Sequence, residues 1–339
     1  MNGGQCDDAI GGRSVAVPLE AWGSIQGDHL MLTRRNMLIS TMAGLGVAVL
    51  RMPSVRANDW QGKFSTLNFG VVSSENEADR IAHYQTFVAY MEGRLGVPLK
   101  MHQATDYAGT IEALKARKLE FARFGAVSYA QAWLITGGKV EPIAVETDSD
   151  GSVSYHSVIA VKADSPYQSL DDLKGKSLAF ADPNSTSGFV APSYFLREEG
   201  INPESFFGRT GFSGSHENGI LAVLNGTYDA AATSWTNEER SNVARMESKG
   251  MIPKGQIRYL WKSPKLPNGP WATHADLPTA LKVDIRAALV ALPTSNPSAW
   301  KDITDGKSKG VEETTHADFE PIIRMIKDNQ RARRDAKSN

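Results

Sequence analysis

From Leu67 onward, short apolar runs alternate with stretches whose apolar residues recur every three or four positions, the pattern of strands followed by amphipathic helices. Leu67-Asn68-Phe69-Gly70-Val71-Val72 predicts a first strand. Ile81, Tyr84, Phe87, Val88, Met91 and Leu95 then mark one face of a helix ending at Gly96, and Val97-Pro98 opens the next extended segment. A helix through Ile111 and Leu114, a strand near Phe121 to Phe124, a helix with Tyr129, Ala132 and Trp133, and a strand from Val140 to Val145 continue the alternation. Tyr155 to Val161 reads as a strand, Ser169 to Lys176 as a short helix, and Ser177 to Phe180 as a strand. The helix after it carries Phe189, Tyr194, Phe195 and Leu196 and stops at Gly200. Further on come an extended segment at Gly211 to Ser213, a helix from His216 to Leu224, and strands at Asp229 to Thr233 and Ile257 to Trp261. Pro264, Pro267 and Pro270 mark a connection, and helices follow at Thr279 to Leu292 and Phe319 to Ile326. This order predicts an α/β protein with parallel sheets and helices on both faces.

The strands around Val158 and Tyr259 bracket a middle block with its own β-α alternation. A block inserted in this way predicts two lobes joined by two crossing strands, with a cleft between them. The expected division is residues 58–157 and 264–327 in one lobe and 158–263 in the other. Residues 328–339 are charged and unpatterned and read as a disordered tail.

The 339 residues are 41% hydrophobic and 22% charged, enough for a substantial core, and the formal net charge is only -1. That balance gives no electrostatic case for nucleic acid or an anionic membrane as partner, so any anion binding must be local. Residues 1–57 read as an extension plus export signal. Thr33-Arg34-Arg35-Asn36-Met37-Leu38 is a twin-arginine pattern, an apolar run follows from Met37 to Leu50, and Val55-Arg56-Ala57 is a small-residue cleavage site. The run is too short to span a bilayer comfortably; an uncut N-terminal anchor is the alternative. Met1 to Leu30 are unpatterned, and a start at Met31 would suit the signal. The single cysteine, Cys6, falls in this segment, so the exported chain is expected to have no disulfide and no thiolate site. The expectation is a monomer free in the periplasm.

The most telling chemistry is Asp182-Pro183-Asn184-Ser185-Thr186-Ser187-Gly188, which leaves a strand and opens a helix. The first N–H groups of a helix lack partners within it and carry partial positive charge, which suits a phosphate-like anion. Ser185, Thr186 and Ser187 add hydroxyl donors, and Gly188 lets the backbone approach without a Cβ. The plainer reading is ordinary capping around Pro183. Other chemistries find little support. Gly211-Phe212-Ser213-Gly214-Ser215 lacks the final glycine of a nucleophile elbow, and the seven histidines show no metal-binding spacing. No cofactor and no catalytic group is expected. Trp60, Trp133, Trp235, Trp261 and Trp271 read as packing, with Trp235 able to wall the cleft; His156, next to Tyr155 on an alternating strand, should face away from it.

In order along the chain, Thr105-Asp106-Tyr107-Ala108-Gly109, Phe124-Gly125 with Ser128-Tyr129, Leu170 to Lys176, the hydroxyl turn, and Ser213-Gly214-Ser215-His216 resemble one family. It is that of the periplasmic phosphonate- and phosphite-binding proteins of ABC transporters, and the resemblance covers roughly Leu67 to Ile326. It implies a two-lobed type II periplasmic binding protein that delivers a phosphorus oxyanion to an inner-membrane ABC permease. It also implies ligand-binding roles for Ser185, Thr186, Ser187, Tyr107, Tyr155 and His216, with Gly188 in the turn. Family members that take aminoalkyl phosphonates hold the ammonium with acidic residues; this chain has Asn237 and Gly269 near those places. That difference points to phosphite, phosphate or a simple alkylphosphonate. The competing readings are a sensory receptor, a receptor for another small anion such as a sulfonate, and an exported phosphoesterase.

Overall fold

The computed structural model describes residues 60–338 apart from 73, 74 and 76. The export signal, the early start and Cys6 lie outside these residues. The first lobe begins with β1 (Leu67–Val71), α1 (Glu77–Leu95) and β2 (Leu99–His102), then α2 (Tyr107–Lys115), β3 (Phe121–Arg123), α3 (Ala126–Ile135) and β4 (Val140–Asp148). β1 pairs in parallel with β2 and β3. Its Phe69 stacks on Phe121, and Phe87 of α1 stacks on Trp271, so aromatic faces fill the space between sheet and helix. Tyr84, Phe87, Met91 and Leu95 of the expected apolar stripe are buried, while Ile81 is exposed.

The chain then enters the second lobe. Here lie β5 (Ser154–Lys162), β6 (Ser177–Phe180), a π-helical turn (Thr186–Val190) continuing into α4 (Ala191–Glu198), the single turn α5 (Pro203–Phe206) and β7 (Arg209–Phe212). α6 (His216–Leu224), β8 (Ala230–Trp235), α7 (Asn242–Ser248), β9 (Ile257–Lys262) and β10 (Leu266–Pro267) complete it. The path β10-β5-β8-β6-β7 forms the sheet, with β9 also on β5. The return to the first lobe brings β11 (Pro270–His274), α8 (Thr279–Ser295), α9 (Pro297–Thr304), β12 (Ser308–Glu312) and finally α10 (Glu320–Ser338).

Three features depart from the sequence reading. First, the sheets are mixed. β6, β7 and β8 are parallel, as are β1, β2 and β3, but β4, β5, β9, β10, β11 and β12 all pair antiparallel. β4 and β5 flank the first crossing and β10 and β11 the second, while β9 and β12 pair antiparallel with β5 and β4. Second, the proline-marked connection contains β11, a fully buried central strand between β3 and β4. Pro270 is tolerated as its first residue, where its carbonyl still accepts from the Phe124 N–H at 2.9 Å. Third, the expected tail is helix. α10 packs on α3 and α4, and its buried Asn329 donates to the Val190 carbonyl at 2.8 Å and accepts from Arg197 at 2.6 Å.

By sheet membership, the crossings fall at residues 149–153 and 268–269, so Ser154 to Ser157 and Pro264 to Pro267 belong with the second sheet. The two links touch: the Asn268 N–H donates to the Val153 carbonyl at 2.9 Å. α10 makes a third bridge between lobes.

Candidate functional site

Four helix starts face the cleft: α2 at Tyr107, α3 at Ala126, the π-turn at Thr186 and α6 at His216. Each follows the carboxyl end of a parallel strand, β2, β3, β6 or β7, which is where open α/β sheets hold their ligands. The caps are local. Asp106, Ser185 and Ser215 accept from the N–H three residues on, at 2.8, 3.0 and 3.1 Å. They leave the N–H groups of the first turns with partial positive charge directed at the cleft.

The hydroxyl turn is shaped by bonds on its far side. The Ser187 carbonyl accepts from the Ser157 hydroxyl at 2.7 Å and the Gly188 carbonyl from the Ala181 N–H at 3.0 Å. The Val190 N–H reaches back to the Ser185 carbonyl at 3.1 Å, five residues away, which widens the first turn into a π-turn. Gly188 sits where a side chain would collide, since a Cβ there would lie 2.5 Å from the Ala181 Cβ and 2.9 Å from the His216 Cε1.

A cavity of about 270 Å³ brings together Tyr107, Tyr155, Ser185, Thr186, Ser187 and His216. Thr186 Oγ1 accepts from the Val127 N–H across the lobes at 2.9 Å, so its own proton is free to be donated. Burial, and next the Asp182 carboxylate, push the Tyr107 phenol up; burial likewise raises that of Tyr155, which lies beside Thr186 and Ser187. Both therefore keep their phenol protons near pH 7. Asn237 is different: its side-chain oxygen accepts from the N–H groups of Glu239 and Arg240, at 3.0 and 2.8 Å, holding its own turn. It is not among the residues lining the cavity, and Thr236, Glu239 and Arg240 stand there instead. Trp235 also stays outside this wall, beneath Lys262 and beside His156.

His216 is buried, with Nε2 3.1 Å from Ser185 Oγ and Nδ1 3.2 Å from Thr233 Oγ1. Burial, and then the charge of Arg245, push the imidazole down to about 3. It is therefore a neutral group near pH 7. In the unfolded chain it titrates at its ordinary value near 6.5. Between these values the unfolded state binds the extra proton, so stability is full above about pH 6.5 and falls as the pH drops toward 3. We expect His216→Gln to remove a dependence of up to about 1.4 kcal/mol per pH unit from denaturant unfolding between pH 6.5 and 5. An unchanged slope in that window would show that His216 is not held neutral.

Sequence reasoning missed the charged wall. Arg123 donates to Glu146 at 2.6 Å, to the Tyr84 hydroxyl at 2.7 Å and to the Ile303 carbonyl at 3.1 Å. Arg240 pairs with Asp148 and donates to the Lys307 carbonyl at 2.9 Å; Arg245 pairs with Glu217 at 3.4 Å and donates to Asn242 at 3.0 Å. Every arginine of the wall thus has a carboxylate partner; Lys307, which also lines the cavity, donates to the Glu239 carbonyl, and the remaining polar lining includes helix starts and hydroxyls. Acids also reach the cavity: Glu75, tied to Lys249 at 3.1 Å, with Glu239, Asp302 and Asp305 near the rim. Gly269 lines it too, and a Cβ there would lie 1.9 Å from the Phe124 carbonyl oxygen, so this backbone has no room for an acidic side chain. Among the described residues, no cluster of metal-ligating side chains occurs, and no helix is long and apolar enough to cross a membrane.

A model of ABC-transporter phosphonate periplasmic substrate-binding proteins matches residues 69–319. The chain belongs to this family. It is 34% identical over 220 residues to the phosphonates-binding periplasmic protein of Escherichia coli, covering 64% of this chain and 63% of that protein's length. It is 29% identical over 279 residues to a phosphate-import protein of Mycolicibacterium smegmatis, covering 77% and 85%. The binding-protein component of an ABC phosphonate transporter from Pseudomonas aeruginosa superposes with a TM-score of 0.69 at 26% identity, covering 78% of this chain and 87% of the other. Two mixed sheets flank one cleft in this chain, and the matched segment contains the hydroxyl turn, both tyrosines and His216.

Proposed function

We propose that this chain captures a phosphorus oxyanion, namely phosphite, phosphate or a simple alkylphosphonate, in the interlobe cleft and delivers it to an ABC permease. The observation that carries this reading is the meeting of the Ser185-Thr186-Ser187 turn with the helix starts of the opposite lobe, in a wall whose arginines are already paired. Such a site prefers a compact anion with several acceptor oxygens, and no catalytic step is part of the reading. The Arg34-Arg35 motif supports export to the periplasm by the twin-arginine route, with the protein acting there as a monomer.

Closure is the mechanism. Oxyanion held on the second-lobe turn recruits Tyr107 and the α3 start from the first lobe, so differential contacts favour the closed state. Contacts across the cleft would hold that state: Val127 N–H on Thr186, Lys249 on Glu75 and Asp79 at 3.1 and 3.0 Å, and Arg240 on Asp148. Hydrogen bonds to a charged group contribute about 1.5–3 kcal/mol each, so three or four outweigh a modest closing cost.

Calorimetric titration with phosphite, phosphate, methylphosphonate and 2-aminoethylphosphonate tests the reading. Ser187→Ala and Tyr107→Phe should each weaken the best ligand by about ten- to a hundredfold while the protein stays folded. Unchanged affinity in both would count against the site. The rim acids Glu239 and Asp305 favour a second reading, a ligand with a cationic substituent. Tight binding of 2-aminoethylphosphonate with none of phosphite or methylphosphonate would establish it over the first.

A further inference from the structure

Behind the cavity runs a buried polar chain whose hydrogens can be assigned by chemistry. Arg245 Nη2 meets the side-chain oxygen of Asn242 at 3.0 Å, and a guanidinium only donates, so that atom must be Oδ1. The Asn242 amide nitrogen therefore faces Thr233 Oγ1, at 2.9 Å, and Ser234 Oγ, at 2.7 Å, and donates to both. Thr233 Oγ1 already accepts, and its own proton finds an acceptor in His216 Nδ1 at 3.2 Å. The imidazole then carries its hydrogen on Nε2 and donates to Ser185 Oγ at 3.1 Å. Ser185 Oγ also accepts from the Gly188 N–H at 3.0 Å, so both its acceptor positions are filled. The Ser185 proton is left for the cleft, toward a ligand oxygen or the Tyr107 phenol beside it.

We propose that Asn242 is a positioning residue: anchored by Arg245 and Glu217, it fixes His216 as the Nε2–H tautomer and thereby makes Ser185 a donor to the ligand. The proposal rests on the oxyanion reading for its ligand and on the hydrogen-bond chain alone for its tautomer. Reversing the chain at its root should reverse it throughout. In Asn242→Asp a carboxylate takes the Thr233 proton, Thr233 accepts from His216 Nδ1–H, and the bare Nε2 takes the Ser185 proton away from the cleft. The charged group acting on the His216 imidazole is Arg245 from α7; its partner Glu217 follows His216 on α6, and Asp182 acts on the neighbouring Tyr107 phenol. Asn242→Asp adds one negative charge to this set, which also disfavours an anion.

Two readouts separate positioning from mere support. Nitrogen NMR of ring-labelled histidine, with the His216 signals assigned by their loss in His216→Gln, should show Nε2–H in the ligand-free wild type and Nδ1–H in Asn242→Asp. Calorimetry with methylphosphonate should show the variant weakened by about ten- to a hundredfold. Weakened binding with the Nε2–H form retained would overturn the proposal, as would an Nδ1–H wild type, which also decides the matter should the variant fail to fold. A wild type that binds no methylphosphonate would strike at the functional reading alone, because the tautomer is read without ligand.

Discussion

Gly188→Ala should reduce oxyanion affinity by more than about a hundredfold and lower the melting temperature by several degrees. The added Cβ would lie 2.5 Å from the Ala181 Cβ, 2.7 Å from Ser185 Oγ and 2.9 Å from His216 Cε1. None of these neighbours can retreat freely. Ala181 is tied to Gly188 itself by its N–H, Ser185 caps the turn, and His216 is held between Ser185 and Thr233. Overpacking of this kind costs about 1–3 kcal/mol of stability. The larger loss falls on binding, because donors must lie within about 0.5 Å of their working positions to act together. Calorimetry and thermal unfolding of the same preparation check both parts. Affinity within threefold of wild type would mean that the oxyanion sits elsewhere.

The chain's legibility follows the range of the interactions involved. β6, the turn after it and α6 could be read from the sequence because their signals are local: a short apolar run, a cluster of capping residues, then apolar positions at helical spacing. The six residues that reach one cavity come largely from such segments. β11 was hidden because Pro270 and a short apolar stretch resemble a connection; only the neighbours β3 and β4 make it a buried strand. α7 carries few apolar residues, chiefly Val243 and Met246, and so Asn242 and Arg245 arrived at the site unannounced. The antiparallel strands were unreadable for a related reason, since direction is relative to the strand that pairs alongside, which the local apolar pattern does not name.

The paired wall is the clearest case of information outside local pattern. Arg123 and Glu146 are far apart in the sequence, as are Arg240 and Asp148, and nothing in either neighbourhood names the partner. α10 extends the same lesson. Its second half lacks the apolar stripe that marks a helix, and the anchor is the buried polar Asn329, which hydrophobic periodicity cannot register. Asn237 shows the converse error, in which a residue near the right place in the sequence spends its side chain on its own turn.

Thr186→Val should weaken binding by about a hundred- to a thousandfold, more than loss of any other single hydroxyl of the turn, because this side chain serves two lobes at once. Its Oγ1 accepts from the Val127 N–H at 2.9 Å, which leaves its proton for a ligand oxygen or for the Tyr155 phenol beside it. Valine keeps the shape and removes both functions. The closed state then buries the Val127 N–H without a partner, at a cost of about 1–3 kcal/mol, and the ligand loses a donor contributing about 1.5–3 kcal/mol. Ser187, by contrast, is held within its own lobe, its carbonyl accepting from the Ser157 hydroxyl behind it. The first loss falls only on closure, so the open protein should unfold at nearly the wild-type denaturant concentration. Small-angle scattering should show Thr186→Val remaining extended at ligand concentrations that compact the wild type, and Thr186→Ser, which restores the hydroxyl, should recover most of the affinity. Equal affinities for the valine and serine variants would remove the Thr186 hydroxyl from both closure and ligand binding.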